Sequence, residues 1–193
     1  MILGSPVAII GSAGRGDDAR KFTSSTLFDR MVERVEKVLT EDLKLPLPVR
    51  FLSSGGSAWS DHVAVALFLT GKARNLLLEL PCKWDKAKSC FDGQTDEGRR
   101  LNQLHRAFSR VRGVDSLAEI QAAMKLPGIM CQVHRGFHRR NDALAKECSY
   151  LIALGWSETD RPESGGTLYT WNKFKGFPSR RVFISLCSFQ TNT

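Results

Sequence analysis

Val7-Ala8-Ile9-Ile10 runs directly into Gly11-Ser12-Ala13-Gly14-Arg15-Gly16. Four consecutive apolar residues ending in glycines read as a short strand buried on both faces, followed by a turn. Downstream, Leu27, Met31, Val35 and Val38 fall at i, i+4, i+8 and i+11, which places them on one face of a helix. Strand, glycine turn and amphipathic helix in that order form the opening half of a βαβ unit.

The same alternation continues along the chain. Further strands are expected at residues 49–52, 75–80, 129–133, 150–154 and 182–186. Helices are expected after Ser57, carrying Val63, Ala64, Leu67 and Phe68, and over residues 140–147 and 167–175. The expected fold class is α/β: a Rossmann-like, doubly wound, mainly parallel sheet of about six strands flanked by helices. Residues 1–193 are read as a single domain with a helical elaboration at about 82–127. Within that block, residues 86–98 read as a polar loop and 99–111 as a basic helix ended by Gly113. Ser116 and Glu119 form an S-x-x-E capping box for a short helix reaching Lys125.

Composition narrows the classes. Hydrophobic residues at 42% and charged residues at 25% are those of a globular chain, which excludes a disordered one. The net charge of +8 favours phosphate-bearing partners. Five irregularly spaced cysteines without a C-x-x-C pair argue against a disulfide framework or a zinc ribbon. Cys131, Cys148 and Cys187 lie in apolar runs and read as core residues. A reducing, cytoplasmic setting fits this usage. No signal peptide is expected, and the longest apolar stretch, around residues 63–69, is too short to span a bilayer.

Ligands of open α/β sheets bind beyond the carboxyl ends of the strands, so chemistry is expected at the glycine-rich turns. At the first, Gly11 and Ser12 approach a ligand while Arg15 pairs with phosphate. At the second, Ser54-Gly55-Gly56-Ser57-Ala58-Trp59-Ser60-Asp61, Ser57 caps the helix and leaves backbone N–H groups for an anion. Asp61 there either accepts a ribose hydroxyl or favours the helix dipole. At the third, Gly165, Gly166 and Thr167 open a helix after Ser164, a ready anion site, whereas Trp171 and Phe174 read as core. Arg135, Arg139 and Arg140, with Asn141, form a candidate phosphate clamp. His134 and His138 are four residues apart, but Gly136 between them argues against a helical metal pair. No cofactor or metal is called for.

In this order the motifs resemble the SLOG superfamily of Rossmann-like proteins, which includes DprA, the LOG phosphoribohydrolases and YspA-like proteins. The family's second-strand motif S-G-G-x-x-G-x-D is similar to residues 54–61, with Asp61 in place and the third glycine absent. Pro81-Cys82-Lys83-Trp84 matches the Pro-x-x-Trp of YspA-like members, and Arg140-Asn141 their Arg-Asn pair. The resemblance implies a phosphate- and ribose-containing ligand. LOG enzymes break an N-glycosidic bond with an Arg before this helix and a Glu after the last glycine turn. Arg139 or Arg140 matches the Arg, but Tyr169 or Thr170 stands at the Glu position, and neither is an ionised carboxylate at neutral pH. Asp61, Glu163 and Arg140 are the candidate catalytic residues, with Glu158 a further carboxylate in the same loop as Glu163.

Three functions follow as expectations. The first is a sensor or carrier of a nucleotide-like small molecule. The second is a nucleoside-phosphate N-glycosidase. The third is DprA-like binding of single-stranded nucleic acid along Arg99, Arg100, Arg106 and Arg110. A homo-oligomer is a further expected partner arrangement, and no membrane partner is expected.

Overall fold

The computed structural model describes residues 6–189. The chain runs β1 (Val7–Gly11), α1 (Leu27–Lys37), β2 (Leu52–Ser54), α2 (His62–Leu69) and β3 (Leu76–Leu80). A hairpin of β4 (Trp84–Asp85) and β5 (Cys90–Phe91) follows, then α3 (Asp96–Arg112) and α4 (Ser116–Ala123). The last third is β6 (Ile129–Val133), α5 (Phe137–Glu147), β7 (Tyr150–Gly155), α6 (Gly165–Lys173) and β8 (Arg181–Ser185). Six strands form one parallel sheet in the order β6-β3-β2-β1-β7-β8. The fold is therefore the expected α/β, Rossmann-like, doubly wound architecture. The chain winds outward from β1 through β2 and β3 to β6, then crosses back to β7 on the other side of β1. The seam between β1 and β7 is the topological switch point.

Alternation along β1 explains how one strand serves two layers. Val7 and Ile9 join the cluster that buries Phe28, Met31, Leu52 and Phe108, whereas Ala8 and Ile10 pack with Leu144, Leu151 and Trp171. Helices α5 and α6 thus cover one face of the sheet, and α1 to α4 contribute to the core on the other. Leu27, Met31, Val35 and Val38 are all buried, as their spacing predicts. Trp171 and Phe174 are core residues.

The second strand lies later than expected. Val49 makes only an isolated bridge to Ala73, while Ser53 and Ser54 complete β2, fully inside the sheet. Serine is a turn former by propensity, but strands on both sides satisfy its backbone and outweigh that tendency. Cys131 is exposed on the edge strand β6 and is not a core residue, Cys187 is half-buried, and Cys148 is buried.

The 82–127 block is less purely helical than expected, because the polar loop contains β4 and β5. Thr95 caps α3 by accepting from the Gly98 N–H at 3.0 Å, and Gly113 ends it in the left-handed region at φ 73°. The Ser116–Glu119 capping box does not form. Asp115 is the cap, accepting from the N–H groups of Leu117 and Ala118. Ser116 is drawn inward instead, where its hydroxyl meets His105 and Ser109 at 2.9 Å. Phe91, Leu101, Phe108 and Ile120 share one buried cluster with Val7 and Leu154, so the block is built into the main core. Among the described residues, no helix is long and apolar enough to cross a membrane.

Candidate functional site

A cavity of about 670 Å³ opens at the carboxyl ends of β1 and β7, over the switch point. Gly11, Ser12 and Arg15 line it from the first turn, and Ser57 and Asp61 from the second. Arg139, Arg140 and Asn141 come from α5, and Gly165, Gly166 and Thr167 from α6. Topology explains the convergence, because every βα turn of a parallel sheet emerges on the same edge.

Arg140 and Asp61 join across the floor. Their side chains are almost wholly buried, and Arg140 Nη1 donates to Asp61 Oδ2 at 2.9 Å. The Ser57 N–H donates to the same carboxylate oxygen at 3.2 Å. Asp61 therefore organises the loop and holds the arginine. Arg140 Nε and Ser57 Oγ, both buried, have no protein partner. A buried polar atom in that condition costs about 1–3 kcal/mol unless something else satisfies it. Ser57 is not the helix cap it was expected to be. Residue 61 occupies the cap position of α2, without a side-chain cap bond, because the loop makes an extra turn between residues 57 and 61.

Gly55 and Gly56 do not line the cavity; they make its floor possible. A Cβ on Gly55 would overlap the Arg140 guanidinium. Gly56 has φ 68° and packs so closely that a Cβ would lie 2.6 Å from Leu80 Cδ2. Trp59 keeps a glycine-like φ of 56°. Its ring packs 4.4 Å from Phe22 and 4.5 Å from Phe108, centroid to centroid, which offsets the backbone strain.

The helix N-termini complete the electrostatics. Neither Gly136 before α5 nor Ser164 before α6 makes a side-chain cap bond, so both ends present backbone N–H groups. Arg15 lies on the exposed rim, its guanidinium 4.6 Å from the Phe137 ring centroid, and Arg140 lies 5.7 Å from the same ring. Desolvation, then repulsion from Arg140 and Arg100, lowers the Arg15 pKa from its ordinary value.

Several lining residues were not singled out for this site from the sequence: Asp18, Glu97, Arg100 and Phe137. Asp18 accepts from Ser12 Oγ at 2.9 Å and from Lys21 at 3.0 Å. Glu97 and Arg100 arrive from α3, so the 82–127 block supplies one wall. Arg135 and His138 also line the cavity. His134, by contrast, pairs with the buried carboxylate of Glu79, whose pKa is raised by burial first. Glu163 does not line the cavity either; its carboxylate accepts from Ser157 Oγ at 2.8 Å. Tyr169 donates to Asp142 at 2.8 Å, and Thr170 donates to the Gly166 carbonyl at 2.9 Å.

A buried polar network supports the second turn from behind. His105 bonds the Gly56 carbonyl through Nε2 at 3.1 Å and Ser116 through Nδ1 at 2.9 Å. Burial first, and then His62, push its pKa down to about 3, so the ring is neutral and Nε2 is the donor to the carbonyl. His62 meets Glu119 at 2.8 Å, and Arg112 donates to the same carboxylate at 2.6 Å. Burial alone would raise Glu119, but these two hydrogen bonds outweigh it and bring the pKa to about 2. The one signal of this network in the sequence is a histidine opening the apolar run His62-Val63-Ala64-Val65.

No family model matches the chain. Uncharacterized protein R261 of Acanthamoeba polyphaga mimivirus is 37% identical over 180 residues, an alignment spanning 93% of this chain and 96% of that protein. With that identity sustained over nearly the whole of both chains, this chain belongs to the same family as the mimivirus protein.

Proposed function

We propose that the chain binds a nucleotide or nucleotide-derived ligand, containing phosphate and ribose, as a sensor or carrier, as the SLOG resemblance implies. One observation carries the reading. The floor of the switch-point cavity holds two buried polar groups without protein partners, Ser57 Oγ and Arg140 Nε, beneath two uncapped helix N-termini. A phosphate oxygen satisfies such donors, and a cavity of about 670 Å³ is of small-ligand size. Binding is favoured over N-glycosidic hydrolysis because the named carboxylates are engaged elsewhere. Asp61 is held by Arg140 and the Ser57 N–H, and Glu163 by Ser157.

Thermal shift with AMP, ADP, ADP-ribose and a short oligonucleotide, at two salt concentrations, tests the reading. A salt-tolerant rise with a nucleotide, lost in Arg140→Ala, is expected. A salt-sensitive rise with the oligonucleotide alone replaces it with the nucleic-acid function. Release of free base on incubation, followed chromatographically, replaces it with hydrolysis.

A further inference from the structure

We infer that the ligand carries two phosphoryl groups joined as a diphosphate, one on the cavity floor and one at its rim, which rests on the cavity being the ligand site. The two N-termini that open onto the cavity belong to helices packed side by side. Gly166 of α6 sits so close to Asn141 of α5 that a Cβ there would lie 2.9 Å from Asn141 Nδ2. The His138 and Tyr169 rings of the two helices meet edge to face at 5.4 Å. Each uncapped end is a place for one anionic group, and their adjacency suits two groups on one ligand.

The arginines divide by depth in the same way. Arg140 is buried on the floor beside Ser57, whereas Arg15 and Arg100 are exposed at the rim. The Phe137 ring lies between these depths, its centroid 4.6 Å from the Arg15 guanidinium and 5.7 Å from that of Arg140. Charge accounting asks for more than one phosphoryl group. Arg140 is matched by Asp61, and Asp18 by Lys21. Arg15, Arg100, Arg135 and Arg139 then face Glu97 as the one remaining carboxylate of the lining. A single phosphoryl group brings at most about two negative charges, which leaves the rim undercompensated. Burial first, and then repulsion from Arg140 and Arg100, lowers the Arg15 pKa, and an anion at the rim counters that repulsion.

Calorimetric titration of the full chain with inorganic phosphate and with inorganic diphosphate tests this without knowledge of the base. The wild type is expected to bind diphosphate about tenfold or more tightly than phosphate, the effect of one added set of charge-assisted hydrogen bonds. The Arg15→Ala, Arg100→Ala double variant should lose about that factor for diphosphate and keep phosphate affinity within about twofold. Arg140→Ala should lose both anions. Equal affinities in the wild type, or a parallel loss of both anions in the double variant, overturn the diphosphate. So does an equal loss in Arg106→Ala, Arg110→Ala, a basic pair of α3 outside this cavity, since that outcome assigns the preference to a diffuse surface field. If neither anion binds the wild type, the cavity itself fails as the ligand site.

Discussion

Arg140 reaches the cavity floor because residue 55 has no side chain. A methyl group at that position would overlap the guanidinium that bonds Asp61. Gly55→Ala is therefore expected to abolish nucleotide-induced stabilisation and to cost about 1–3 kcal/mol in urea unfolding, the range for overpacking a closed site. Gly93→Ala, where a Cβ meets nothing within 4 Å, should stay within about 0.5 kcal/mol and serves as the control. The buried histidines carry a pH dependence. Below its ordinary value of 6.5, an unfolded His105 takes up a proton that the folded ring, at about 3, refuses. Stability is thus complete above about pH 6.5 and falls as the pH drops toward 3, with His62 acting in the same sense. Glu119 is the depressed-carboxylate case: its contribution is present above 4.5 and is lost as the pH falls toward 2. Urea unfolding between pH 8 and 3 should show both phases. His105→Gln should reduce the slope below pH 6.5, leaving the part that His62 contributes and the Glu119 phase below 4.5. An unchanged upper phase would count against a neutral buried imidazole.

At the scale of elements, α3 and α4 connect the cavity to the core. The N-terminus of α3 brings Arg100 and Glu97 to the cavity, while near its other end Phe108 packs against Phe28 of α1 and His62 of α2, and Arg112 meets Phe28 and Glu119 of α4. Arg112 lies 4.3 Å over Phe28, so the arginine at the end of this basic helix is part of the packing. The start of α4 gives a sharp test of which residue caps it. Asp115→Ala should cost about 1 kcal/mol through the loss of one carboxylate oxygen that accepts from two backbone N–H groups, measured by denaturant midpoint. Ser116→Ala removes no cap; it should instead perturb the His105 titration, because it deletes the partner of Nδ1.

At the scale of the molecule, ligand and fold are linked through one cavity. A ligand at about one hundred times its Kd stabilises the native state by about 2.7 kcal/mol. For a chain of this length that corresponds to a rise of roughly 5–10 °C in Tm. The rise should be absent in Arg140→Ala, whereas variants of the exposed pair Arg106 and Arg110 should keep it. A differential scanning series over ligand concentration checks both.

The sequence by itself determined the parallel α/β architecture, because apolar runs buried on both faces and amphipathic helices are periodic signals that local chemistry writes directly. It also brought forward most of the cavity lining, since the turns after parallel strands share an edge and glycines mark them. It did not distinguish lining from support: Gly55 and Gly56 carry the same turn signature as Gly165 and Gly166, yet lie beneath Arg140 and against Leu80. It also misread Ser116, Cys131 and Ser57, whose roles depend on what arrives from distant segments. The Asp61–Arg140 pair spans 79 residues, and the His62–Glu119 contact spans 57. Only the tertiary structure decided those pairings, because the partner of a buried polar group is fixed by three-dimensional packing and leaves no local periodicity to read.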